Sequence, residues 1–412
     1  MRLSRHRPRR WLAATLLAVA GLAGGTLTAP PAAAARPLAE EDDGADCQVE
    51  PGSGPSNALL PDPFTRLDGS RITSREDWRC RRAEIRELAE RHVYGDRPAP
   101  PESVSGTVSP TGVTVNVQDQ GRSAGFSVSV DLPSGTGPFP AVVVYGGFGA
   151  DTAAIKAAGA AVISYDPYAV GAEGTPRNAK RGAFYDLYGA TSPTGLLQAW
   201  GWGVSRIIDV IEQSDGTVLR ADATGVTGCS RFGKGALVAG AFDQRIALTM
   251  PIESGTAGVP IFRGVAAEGG QPPDSAYGEQ PWLGDAFGSY TGDTAALPVD
   301  THQILGMIAP RGLLVMENPH VDWLGARSGS VAALGGAEIY EALGAGSHIS
   351  YVSDVQDGTH CASRAEWNGP LTRSIQAFLL SSGSPPDVFR VSGAKSGNLA
   401  EWRDWQTPVL TD

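Results

Sequence analysis

The stretch Gly228-Cys229-Ser230-Arg231-Phe232-Gly233-Lys234 places a serine among glycines, between an apolar strand pattern and a helical one. Glycines there permit the tight, strained turn that lifts a serine above a sheet as a nucleophile. The spacing, Gly-x-Ser-x-x-Gly, is one residue longer than the common elbow, and the pattern alone also fits a glycine-rich loop whose serine caps a helix. A serine hydroxyl attacks only when a base removes its proton and an acid orients that base. Of the six histidines, His6 lies in the N-terminal leader, His92 and His302 in helical patterns, His348 at the start of a strand and His320 in a loop. His360 stands in QDGTHCAS, a polar loop that follows the last expected strand, where an α/β fold of this kind carries its base. A lone loop histidine is otherwise a surface residue; its position and its neighbour Cys361 favour catalysis. Two places offer an acid: Glu253 closes the strand IALTMPIES, and Glu317 and Asp322 follow the strand RGLLVMEN. Strand-end carboxylates also serve as caps and ion-pair partners, so the residues alone leave the choice even.

The elements around these residues set the expected fold. RAEIRELAERHV, residues 82–93, suits an amphipathic helix, and between 102 and 132 runs such as VTVNV and FSVSVDL alternate as antiparallel strands do. PFPAVVVYGGFG and AAVISYDPY read as buried parallel strands, and residues 194–213 as a helix closed by SDG. Then come the strand ATGVTG, the loop CSRFG, the helix KGALVAGAF, the strand IALTMPIES, the helix HQILGMIA and the strands RGLLVMEN and HISYVSDV, with a last helix over 364–381. Alternation of this sort predicts an α/β-hydrolase fold: a mostly parallel sheet between two helical layers, a three-layer αβα sandwich.

With 42% hydrophobic and 19% charged residues, the chain is too apolar to be disordered and long enough for a large core. MRLSRHRPRR followed by WLAATLLAVAGLAGG and the alanines 32–35 has the order of a secretory signal, so the expected division is 1–35 signal peptide, 36–46 short acidic tail and 47–412 a single catalytic domain. The glycine-diluted apolar run falls short of the ~20 residues that span a bilayer, so no membrane attachment is expected once the signal is removed. Removing residues 1–35 takes away five arginines and no acids, moving the formal charge from −11 to −16, which argues against a nucleic-acid partner. Four cysteines in an exported chain favour two disulfides. If Ser230 and His360 meet, their neighbours meet too, so Cys229 pairs with Cys361 and Cys47 with Cys80. No HExxH or paired Cys-x-x-Cys pattern points to a metal, and no cofactor is expected.

GCSRFGK, ESGTAG, GEQPW, IAPRGLLVMEN, DWLG and HC, in that order, together with FYDLYG and AWGWGVSRIID, resemble the glucuronoyl esterases, carbohydrate esterase family 15, from about residue 180 to 365. The resemblance implies Ser230 as nucleophile, His360 as base, the Glu of the ESG motif, Glu253, as acid, and Arg231 as an oxyanion-stabilising cation. Some relatives carry the acid after the later strand, which keeps Glu317 and Asp322 as possible supplements. Lys234, Gln271, Glu279 and Trp323 match the family's sugar-binding residues, and the same two disulfides are implied. The expected function is a secreted, monomeric serine esterase hydrolysing the ester between lignin alcohols and (4-O-methyl-)glucuronic acid of glucuronoxylan, so its partners are glucuronoxylan and lignin-carbohydrate esters. An acetyl xylan esterase and an inactive cell-wall binding protein on the same fold are the rivals.

Overall fold

The computed structural model describes Gly44, 47–49 and 56–412. The expected signal peptide, 1–35, and all of the expected acidic tail, 36–46, except Gly44 lie outside these residues. Strands β1 (Ser103–Ser109), β2 (Gly112–Asp119) and β3 (Arg122–Asp131) form an antiparallel meander. One face is apolar, with Val113, Val115, Val117, Phe126, Val128 and Val130 buried at every second position. β4 (Phe139–Tyr145), β5 (Ala161–Tyr165), β6 (Leu219–Cys229), β7 (Ile246–Ile252), β8 (Gly312–Met316), β9 (Ile349–Ser353) and β10 (Phe389–Val391) complete one ten-stranded sheet in the order β1-β2-β3-β5-β4-β6-β7-β8-β9-β10. From β5 to β10 every pairing is parallel.

The central strands are covered on both faces. Val143 and Tyr145 of β4 face one core and Val142 and Val144 the other. The first core receives α1 (Arg75–Ala89), α3 (Ala183–Tyr188), α4 (Leu196–Gln213), α5 (Arg231–Phe242), α6 (Phe262–Val265), α7 (Pro273–Glu279), α8 (Thr301–Gly306) and α9 (Ala326–Ala342); the second receives α2 (Thr152–Ala157) and α10 (Ala365–Phe378). This is the expected three-layer α/β-hydrolase architecture. Among the described residues no helix is long and apolar enough to cross a membrane.

Four elements differ from expectation. α1 begins at Arg75 rather than 82, because Ser74 and Asp77 form a reciprocal capping box, and it ends at Ala89 in a π-turn over Glu90–Tyr94. β6 runs through Cys229 and α5 starts at Arg231, so of the expected loop CSRFG only Ser230 lies outside both elements. α9 has little amphipathic signature, because glycines and serines break up its alanines and few large apolar residues mark a face. Its small residues permit close packing: a Cβ on Gly335 would lie 2.9 Å from His302 Cβ, and one on Gly336 3.1 Å from Leu305 Cβ. Last, β10 adds itself beside β9, so the loop bearing His360 follows the penultimate strand. Both disulfides pair as adjacency requires, Cys47 with Cys80 and Cys229 with Cys361, the latter bringing Cα atoms 132 residues apart to 5.8 Å.

Candidate active site

β6 runs into α5 with Ser230 as the single residue between them, at φ 60° and ψ −127°, a strained conformation that only a supporting framework holds. The two glycines of the motif make that framework possible. A Cβ on Gly228 would meet the Phe232 carbonyl oxygen at 2.7 Å, and one on Gly233 the Ile252 carbonyl oxygen at 2.5 Å, so α5 packs directly against its own strand and β7.

The next strand end supplies the carboxylate. Glu253 follows β7 at φ 43° and is fully buried. Its Oε2 accepts from His360 Nδ1 (2.6 Å) and from the Cys361 backbone N–H (2.7 Å), and Arg364 Nε lies 3.8 Å from Oε1. Holding the proton on Nδ1 leaves Nε2 as a base. The Cys229–Cys361 disulfide joins the residue before Ser230 to the residue after His360, so the sheet and the histidine loop are fixed to each other beside the cleft. Ser230 and His360 both line this cleft but are not hydrogen-bonded to each other among the described residues; such contacts tighten when substrate is seated.

Glu317 and Asp322 take other partners. Glu317 is fully buried at the end of β8, where it accepts from the Ser254 hydroxyl (3.3 Å). Asp322 is mostly exposed and ion-paired with Lys395 (3.0 Å). Burial, reinforced by the neighbouring charge of Glu253, pushes the Glu317 carboxyl up to about 8. Its folded-state value is thus above the ordinary 4.5, so native protein binds the extra proton between these values. The stability this contributes is present below about pH 4.5 and lost as pH rises to about 8. Glu317→Gln keeps the shape and removes the ionisation. Its stability relative to the parent should rise with pH to an advantage on the order of a few kcal/mol at pH 9. Thermal denaturation from pH 5 to 9 tests this; parallel pH curves for the two proteins would refute it.

Lys234, one turn into α5, is buried at the cleft floor, its ammonium donating to the Ser254 carbonyl (2.6 Å) and lying 5.3 Å from the centre of the Trp282 ring. Burial brings it down to about 8, against the opposing pull of Glu279 and Glu317. Gln271 donates to Glu279 (2.7 Å), and its backbone N–H donates to the Trp323 carbonyl (2.9 Å). Trp323 is 55% exposed and stands edge-on to His360 at 5.8 Å, and Phe148, 47% exposed on the loop after β4, lines the same cleft. These residues line a cleft of about 1290 Å³ with Ser230, Arg231 and His360. The structure therefore brings together all eight candidate catalytic and sugar-binding residues.

Sequence reasoning misses three contributors. Glu173, in the loop VGAEGTPR after β5, pairs with Arg231 (2.8 Å); Tyr168 and Trp282 donate to the same carboxylate at 2.9 and 2.6 Å. Burial opposes the charge on Arg231, but Glu173 and Tyr168 outweigh it and hold the guanidinium above its ordinary value. Only GEQPW, which brings Trp282 within three residues of Glu279, hints at any of them. Among the described residues one group, Cys229, Glu253, His360 and Cys361, has metal-ligand types within 4.8 Å. Its sulfurs are joined as a disulfide and its other two members are bonded to each other, which is poor chemistry for a cation.

The family model "Glucuronyl esterase, fungi" matches residues 115–344. Similar chains are the 4-O-methyl-glucuronoyl methylesterases of Hypocrea jecorina, 38% identical over 89% of this chain and 80% of its relative, and of Podospora anserina, 40% identical over 85% and 74%. Among solved structures, a serine-to-alanine mutant of the Sporotrichum thermophile glucuronoyl esterase, in complex with methyl 4-O-methyl-β-D-glucopyranuronate, is 36% identical with a TM-score of 0.83, covering 88% of this chain and 99% of that one. The glucuronoyl esterase catalytic domain from Hypocrea jecorina, 37% identical, has a TM-score of 0.82, covering 88% of this chain and 100% of that one. On the matched family model, the identity to these methylesterases and the shared fold, the chain belongs to the glucuronoyl esterases, a family of carboxylic ester hydrolases.

Proposed function

We propose that this chain is a secreted serine esterase that cleaves the ester between lignin alcohols and (4-O-methyl-)glucuronic acid of glucuronoxylan. The observation that carries this reading is the convergence on one cleft of Ser230 in its elbow, the Glu253–His360 pair, and the polar set Lys234, Gln271, Glu279 and Trp323. His360 Nε2 takes the Ser230 proton as Oγ attacks the C6 carbonyl. Negative charge on the carbonyl oxygen is met by Arg231 and backbone N–H groups, and collapse of the tetrahedral intermediate expels the alcohol, which receives the proton from His360. Water repeats the cycle on the acyl-enzyme, releasing the uronate and restoring Ser230. Glu253 keeps His360 oriented and stabilises the imidazolium. The chemistry calls on no metal or cofactor.

Lys234, Gln271 and Glu279 offer donors and acceptors for ring hydroxyls, and the Trp323 indole an apolar face with one donor. The cleft exceeds the ~300–1,000 Å³ of an ordinary small-molecule pocket, leaving room for an alcohol beyond the sugar. We further assign residues 1–35 to an export signal, 36–46 to an acidic tail and 47–412 to one catalytic domain working as a monomer. The reading is tested by comparing hydrolysis of benzyl glucuronate, benzyl galacturonate and an aryl acetate. Glucuronate should be cleaved with the highest kcat/KM. Acetate cleavage alone would move the assignment to an acetyl xylan esterase, and no cleavage of any would favour a binding protein.

A further inference from the structure

Glu173 touches both halves of the cleft. Its Oε2 accepts from Arg231 Nη1 (2.8 Å) and the Tyr168 hydroxyl (2.9 Å), while its Oε1 accepts from the indole N–H of Trp282 (2.6 Å), whose ring lies 5.7 Å from the Arg231 guanidinium and 5.3 Å from the Lys234 ammonium. Glu173 is the drier member of the ion pair, its side chain 10% exposed against 37% for Arg231. Its loop is tied to the segment that carries Glu279. The Gly174 N–H donates to Gln280 (2.7 Å), and Arg177 donates to the carbonyls of Leu283 (2.6 Å) and Tyr277 (2.7 Å) while stacking 3.7 Å over the Tyr277 ring. A guanidinium on four flexible torsions, partly exposed at a cleft wall, spreads over many positions unless something holds it. Stabilisation of an oxyanion depends on donors fixed before charge develops. The carboxylate holds the cation in place and, by balancing its charge, weakens its grip on an anionic product.

We propose that Glu173 is the positioning residue for Arg231, aiming the guanidinium at the ester carbonyl from an anchor shared with Trp282, and easing release of the uronate product. This rests on the reading of Arg231 as oxyanion stabiliser.

The test is a double-mutant cycle of E173A and R231A on benzyl glucuronate, with E173Q as the conservative variant, sodium glucuronate as product inhibitor and thermal denaturation as a folding control. E173A should lower kcat about 10- to 100-fold with little change in KM, the scale on which misplacing a reacting group acts. In the R231A background the same substitution should cost less than about twofold, because its effect runs through the missing guanidinium. E173Q, which keeps a hydrogen-bonding side chain and loses the charge, should recover part of kcat and bind glucuronate several-fold more tightly. If E173A fails to fold, E173Q in both backgrounds completes the cycle. Equal losses with and without Arg231, or a raised KM at unchanged kcat, would overturn the positioning role alone. Full activity of R231A would instead overturn the oxyanion reading and this proposal with it.

Discussion

Replacing Ser230 by alanine is expected to lower kcat on benzyl glucuronate by about 10⁶-fold, His360→Ala by a similar factor, and the double variant no further than either single one. The non-additivity is the informative part. If Ser230 attacks and His360 takes its proton, the two act as a unit, and losing either removes the acyl-enzyme route altogether. What survives is water attacking an ester held by the oxyanion donors, about 10³- to 10⁴-fold above the uncatalysed rate. The serine change should not disturb folding: Ser230 Oγ makes no hydrogen bond among the described residues, and the positive φ of residue 230 is held by Gly228, Gly233 and the bond from its N–H to the Ile252 carbonyl. His360→Ala takes one donor from the buried Glu253 and should cost some stability, which thermal denaturation measures separately. Steady-state kinetics and labelling by a fluorophosphonate probe measure the outcome. Labelling of Ser230→Ala, or losses that multiply in the double variant, would place the nucleophile elsewhere.

What could be read without a structure follows from how local each determinant is. The elbow is written in seven consecutive residues because its steric demands fall on neighbours, two glycines lying against Phe232 and Ile252. Adjacency is likewise enough to pair Cys229 with Cys361. The central strands are legible as apolar runs because both faces are buried, and the meander as alternation because one face is. α9 is not, since its small residues mark no apolar face, and Gly335 and Gly336 hold it against His302 and Leu305 through a tertiary closeness that only the fold shows. Glu173 is equally silent: it lies 58 residues from Arg231 and 109 from Trp282, and a glutamate in a glycine-rich loop has no pattern that separates it from a solvated one. The acid falls between these cases. Carboxylates at the ends of β7 and β8 look alike as sequence, and the resemblance alone favours the first. In the fold, Glu253 is the one hydrogen-bonded to His360.

That distinction leads to the second large effect. Glu253→Gln is expected to reduce kcat by about 10⁴-fold at pH 7 with KM almost unchanged, the scale seen when a triad acid is replaced by its amide. Two donors now converge where the carboxylate faced His360 Nδ1 and the Cys361 N–H, at 2.6 and 2.7 Å. An amide oxygen in the place of Oε2 can still accept from both, but it carries no charge to stabilise an imidazolium, and in the flipped rotamer an amide N–H turned toward Nδ1 drives the imidazole proton to Nε2, where a base is needed. Glu317 is badly placed to take over. It is kept protonated at pH 7 by burial, and its oxygen is engaged by Ser254 rather than the histidine. Asp322 is out in solvent with Lys395. Glu317→Gln alone should therefore stay within about twofold of the parent, and adding it to Glu253→Gln should cost no more than that again. The decisive comparison is between these double and single variants in kcat. A Glu253→Gln loss of only tenfold that deepens when Glu317 is also removed would mean that the two buried carboxylates share the histidine; a loss near 10⁴ that Glu317→Gln leaves untouched assigns the acid to Glu253 alone.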